Sequence, residues 1–217
     1  MAQRSRESNE TRWPAAIAIV GIGGSSLALP DFLVPGPRWL VPIVVALLLV
    51  PAILAHAAGY HRLDKILGYG ISVVVTLALA ASLASLVLEL PGHRQPAELL
   101  RSATILWVTN ILVFALWYWR LDAGGPHARA GRGGHTAGAF FFPQMMQGAP
   151  KGADAWSPNF VDYLFLAFCT STAFSPTDTP VLSRWAKVLT MVQASISLVC
   201  IAILAAHAVG SIGNPPS

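Results

Sequence analysis

Oxygen-bearing side chains gather around one short apolar run of this sequence. Asp162 opens the run, Thr170, Thr172 and Ser175 close it, and Thr177 and Asp178 follow just before Pro180. Hydroxyls and carboxylates at this density suit the binding of an ion or a small polar solute. That chemistry needs the backbone to break at membrane depth, inside protein or beside a water-filled cavity. Helix capping accounts for some of the same residues. Asn159 suits an N-cap with Asp162 three positions on, in the order of a capping box. Asp178 or Thr179 can cap the next helix, with Pro180 in its first turn. Both roles remain open on the sequence alone.

Elsewhere the chemistry is sparse. Asn110 lies in the middle of an apolar run and suits an interhelical hydrogen bond. His56, His61 and His207 fall near the ends of such runs, where an amphipathic ring is comfortable. Cys169 and Cys200 are the only cysteines, and no further cysteine or histidine stands at metal-ligand spacing from either. There is no Gly-rich phosphate loop, no G-x-S-x-G elbow and no H-E-x-x-H pair. No nucleophile and base stand at workable spacing, so an enzymatic role is not expected, nor is a cofactor or a metal site.

These residues are carried by an unusually apolar chain. Of 217 residues, 54% are hydrophobic and only 11% charged, and the mean hydropathy is +0.58. Such a composition excludes an ordinary water-soluble domain and implies a polytopic α-helical bundle in a lipid bilayer. Six apolar runs carry it, from Ala15 to Leu29, Trp39 to Ala58, Ile66 to Leu88, Ala103 to Trp119, Phe160 to Phe174 and Val188 to Val209. The expected fold class is therefore all-α, with five full spans and one short or re-entrant segment at residues 160–174, which are too few to cross comfortably. The first run is also short and rich in Gly, and Ser26-Leu27-Ala28 resembles a signal cleavage site, so a removed leader competes with a packed helix there.

The expected organisation runs from a disordered tail (1–13) through a four-helix membrane region (14–120) to a Gly/Pro-rich loop (121–158). A short apolar helix and a final membrane helix (159–210) follow, then a second tail (211–217). Within the loop, Phe140-Phe141-Phe142 is expected to lie on the membrane interface. Small residues recur every four positions at Ser72, Thr76, Ala80 and Ala84, and again at Ala202, Ala206 and Gly210, making faces where helices approach closely within one chain or between copies in a homo-oligomer.

A net charge of +4 does not point to nucleic acid, because the Lys and Arg sit between apolar runs, where they orient a membrane protein. With an inside N-terminus and every run spanning, nine of the fourteen fall inside. A re-entrant 160–174 segment raises that to eleven. The positive-inside rule thus places the N-terminus in the cytoplasm and leans toward re-entrance.

The last 80 residues resemble a family of bacterial integral membrane proteins of unknown function. Phe142-Pro143, Asp162-Tyr163-Leu164-Phe165, Thr172-Ala173-Phe174, Thr177-Asp178 and Ser183-Arg184 are similar in order to that family's closing signature. The resemblance implies a bacterial inner membrane and no particular activity. Thr170, Thr172, Asp178 and Pro180 also look like the pore region of two-helix potassium channels. Ala173-Phe174-Ser175-Pro176 departs from that pattern, since it lacks the glycines a carbonyl filter needs. Two functions are therefore expected in competition. One is a channel-like or transporter-like protein with its polar site at residues 170–178, taking a small ion or solute. The other is a non-transporting structural or accessory membrane protein.

Overall fold

The computed structural model describes residues 13–90, 95–130, 138–145, 156–175 and 178–213, with the side chains of Pro96, Ala130 and residues 207–213 outside that description. The expected N-terminal tail through Arg12, together with Thr177 and residues 214–217, lies outside the described residues. The described chain is helical. Its elements are α1 (Trp13–Ala28), α2 (Leu40–Ala57), α3 (His61–Glu89), α4 (Pro96–Leu121), the short α5 (Pro126–Ala130), α6 (Phe160–Ala173) and α7 (Arg184–Gly213). The extended pairing among the described residues is a single antiparallel bridge between Phe140 and Val181.

Four helices are long and apolar enough to cross a membrane: Leu40–Ala57, His61–Glu89, the stretch Ala97–Gly124 that takes in all of α4 after Pro96, and Arg184–Ala206. The first and fifth apolar runs form shorter helices of 16 and 14 residues. At 1.5 Å per residue these reach about 24 and 21 Å, against a hydrocarbon core of about 30 Å. Hydropathy alone suggests five full spans, whereas Pro30 follows α1 closely and the left-handed Phe174 (φ 54°) ends α6.

α4 is the central helix. It packs against α1, α3, α6 and α7, and Ala103, Leu106, Val113, Ala115, Leu116 and Tyr118 are all but inaccessible. The outward faces of the other long helices carry exposed Leu47, Leu54, Leu77, Met191 and Leu198. A soluble bundle would bury such residues, while a bilayer solvates them.

Side-chain contacts fix which helix ends lie together. His127 in α5 meets Asp64 in the first turn of α3, and Tyr163 near the start of α6 meets Asp122 just past α4. The Phe140 ring lies 6.3 Å from that of Tyr163 and 6.2 Å from that of Trp185 at the start of α7. Phe141 N donates to Pro180 O at 3.0 Å and Leu182 N to Ala139 O at 2.7 Å. The end of α4 and the starts of α3, α6 and α7 therefore share one end of the bundle. α6 leaves that end, and by Val181 the chain has returned to it. α6 and α7 consequently run parallel, with Gln193 of α7 beside Ala167 and Ser171 of α6.

The described residues of the 121–158 segment hold more order than the sequence suggests. Phe140 and Phe142 are buried, stacked edge-on against Tyr118 and Tyr163, with Trp156 beside Phe142. They are wedged between three helix ends, where aromatic rings bury far more area than they would lying on a membrane surface. Among the described residues, Arg62, Lys65, Arg120, Arg129, Arg184 and Lys187 lie at this end of the bundle, and Arg38 and Arg101 at the other.

Candidate functional site

The residues singled out around α6 do not form one cluster. Asn159 and Asp162 close a complete capping box at the start of the helix. Asn159 Oδ1 accepts from Val161 N at 2.8 Å, and Asp162 Oδ2 accepts from Asn159 N at 2.8 Å. Thr170 is buried and donates to Leu166 O at 2.9 Å. Thr172 is exposed and donates to Phe168 O at 2.9 Å. Ser175 and Asp178 are exposed beyond the helix tip. Asp162 thus lies about 15 Å along the helix from Thr172, at 1.5 Å per residue, while Thr172 and Ser175 flank the helix tip and Asp178 lies on the return.

The final helix is capped differently from the expectation. Pro180, Val181 and Leu182 are occupied by the bridge to residues 139–141, so α7 starts only at Arg184. Ser183 Oγ accepts from Ala186 N at 3.3 Å in the place expected for Asp178 or Thr179.

Beside α6 runs a buried polar seam. Gln193 Nε2 donates to Ala167 O at 2.7 Å and Ser171 Oγ at 2.8 Å, and Gln193 Oε1 accepts from Tyr118 Oη at 2.5 Å. One turn further on, Asn110 Nδ2 donates from α4 to Ser197 Oγ at 2.8 Å and Gln193 O at 3.2 Å on α7. Asn110 Oδ1 is buried without a hydrogen-bond partner. Gln193 is therefore a hub joining α4, α6 and α7, and Asn110 makes the interhelical contact that its mid-span position suggests.

A second buried group ties α6 to the end of α4. Asp122 is fully buried, accepting from Tyr163 Oη at 2.6 Å and from Ala139 N. Arg129, also buried, donates through Nη1 to Trp119 O at 2.8 Å and Asp122 O at 2.9 Å, and lies 5.1 Å from the Tyr163 ring centre. It thereby satisfies carbonyls left over at the end of α4.

A third group lies at the same end of the bundle. Asp64 Oδ2 is 2.7 Å from His127 Nε2 and 3.5 Å from His56 Nδ1, and the His61 ring stands edge-on to that of His127 at 4.4 Å. No spacing in the sequence joins these residues. Alternation of helix direction alone would bring the end of α2, the start of α3 and the segment after α4 to one end. The side chain of His207 lies outside the described residues.

Comparisons with known protein families, with curated proteins and with solved structures give no match for this chain.

Proposed function

We propose that the chain is a multi-pass protein of a bacterial inner membrane in which α6 and its return line a path for a small ion or polar solute. The N-terminus and the shared end of α3, α6 and α7 face the cytoplasm. The observation that carries this proposal is the return of the chain, by Val181, to the end from which α6 started. A helix of about 21 Å that turns back ends within a bilayer of about 30 Å. Irregular backbone at that depth is tolerated only against protein or a water-filled cavity. Thr172, Ser175 and Asp178 are exposed there on a single copy, which supports an assembly of several copies that brings their oxygens to a shared axis.

The orientation is supported by six described Lys and Arg at the α6 end against two at the other. The fifth crossing in this arrangement is α1, whose Ala15, Ala18, Ile19 and Ile22 are buried in its packing against α2 and α4. A glycine-lined potassium filter is not part of the proposal, since Ala173-Phe174-Ser175-Pro176 contains no glycine.

One observation favours the accessory role instead. Thr170 and Thr172 spend their hydroxyl protons on their own helix, and Asp162 is committed to the cap. Thr172→Ala and Asp178→Asn separate the two. If both variants match the wild type in abundance and oligomer size but change ion or solute flux in liposomes, the path is supported. If they change only abundance, or leave flux untouched, the transport proposal fails and the accessory role stands.

A further inference from the structure

We infer that His56, Asp64 and His127 form a binding site for a divalent transition-metal ion of the zinc class. The three residues come from three elements: the last turn of α2, the first turn of α3, and the five-residue α5. Each offers one ligand atom, and these atoms lie within 4.8 Å of one another. Both imidazoles converge on the same carboxylate oxygen, Asp64 Oδ2, at 3.5 Å from His56 Nδ1 and 2.7 Å from His127 Nε2.

His56 Nδ1 carries the argument furthest. The atom is shielded from solvent and has no hydrogen-bond partner, although it lies 3.5 Å from Asp64 Oδ2. A shielded ring nitrogen 3.5 Å from a carboxylate oxygen, and not hydrogen-bonded to it, leaves a gap that a cation fills, taking the imidazole lone pair on one side and the carboxylate charge on the other. Metal–ligand bonds of about 2.1 Å at tetrahedral angles place neighbouring ligand atoms about 3.4 Å apart. The His56–Asp64 separation already has that value, and the His127–Asp64 contact needs to open by less than 1 Å on the same bond lengths.

The donor set selects the ion. Two imidazoles with one carboxylate suit Zn, Fe, Co or Ni, whereas Ca and Mg prefer all-oxygen shells. Three protein ligands leave a fourth position for water. The side chains of His56 and His127 are 40% and 27% exposed, so the group lies at the surface of the bundle end, within reach of an ion from solution. Binding would pin α5 to the α2–α3 turn at the end of the bundle where α6 begins. None of this depends on α6 carrying a path.

The test uses the full chain, purified in detergent and stripped with a chelator. Calorimetric titration with Zn2+ is expected to show one equivalent bound and a rise in Tm. His127→Ala and Asp64→Asn are each expected to weaken binding at least ten-fold and abolish that rise. Titration of the wild type with Co2+ gives a reading independent of any variant, since imidazole ligation at low coordination number produces visible d–d absorption. Failure of the wild type to bind Zn2+ saturably, absence of a Co2+ spectrum, or undiminished binding by both variants would overturn the inference.

Discussion

Tyr163, one turn into α6, donates its hydroxyl to the fully buried carboxylate of Asp122, 41 positions earlier, at 2.6 Å. This bond fastens the start of the short helix to the end of the central one. Hydrogen bonds to charged groups contribute about 1.5–3 kcal/mol. Tyr163→Phe is expected to lower stability by about that amount, and Asp122→Ala by more, because it also strands Ala139 N. Thermal unfolding in detergent measures both, and an unchanged Tm for Tyr163→Phe would show that the bond contributes nothing.

Re-entrance has its own test. In a background free of Cys169 and Cys200, single cysteines at Ser157 and Leu182 bracket α6. Both are expected to react with a membrane-impermeant thiol reagent from the cytoplasmic side and to be protected on intact cells. Labelling from opposite sides would mean that α6 crosses fully.

Gln193 holds α6 through Ala167 and Ser171 and holds α4 through Tyr118. Polar contacts between membrane helices average about 0.6 kcal/mol and reach about 1.7. Gln193→Ala is therefore expected to loosen α6 by roughly 2 kcal/mol. Cys169 on α6 reports the loosening through thiol modification, expected to run at least about ten times faster than in the wild type. An unaltered Cys169 rate would remove Gln193 from its place as the hub.

Gly125 turns the chain after α4 at φ +93°, where a Cβ would sit 2.8 Å from Arg120 O. Gly125→Ala is expected to cost about 1–3 kcal/mol of backbone strain. Gly24→Ala in α1 meets open space and is expected to be neutral or stabilising by up to about 1 kcal/mol. Equal effects on Tm would contradict the strained turn.

Hydropathy reveals the cores of the long helices but not their polar ends. The apolar run from Ile66 belongs to a helix that starts at His61, and the run from Ala103 to one that starts at Pro96. Hydrogen bonding continues through polar turns that carry no apolar signal. The Asn159–Asp162 capping box is legible because its chemistry is local. Asp122 with Tyr163, and Asp64 with His127, are not, since their partners lie 41 and 63 positions apart and only tertiary packing joins them. The Phe140 patch misleads for the same reason, because an aromatic triplet in a polar loop reads alike whether it meets lipid or three helix ends.

The chain direction of α6 also sets the sign of its field. Each helix carries the equivalent of about half a positive charge at its N-terminus and half a negative charge at its C-terminus. α6 starts at the bundle end rich in Arg and Lys and points its last carbonyls toward Phe174 and Ser175. The tip of the helix is therefore electronegative, and copies brought together around a common axis would sum their contributions there. A species resting at that tip is drawn by this potential if it is a cation and repelled if it is an anion.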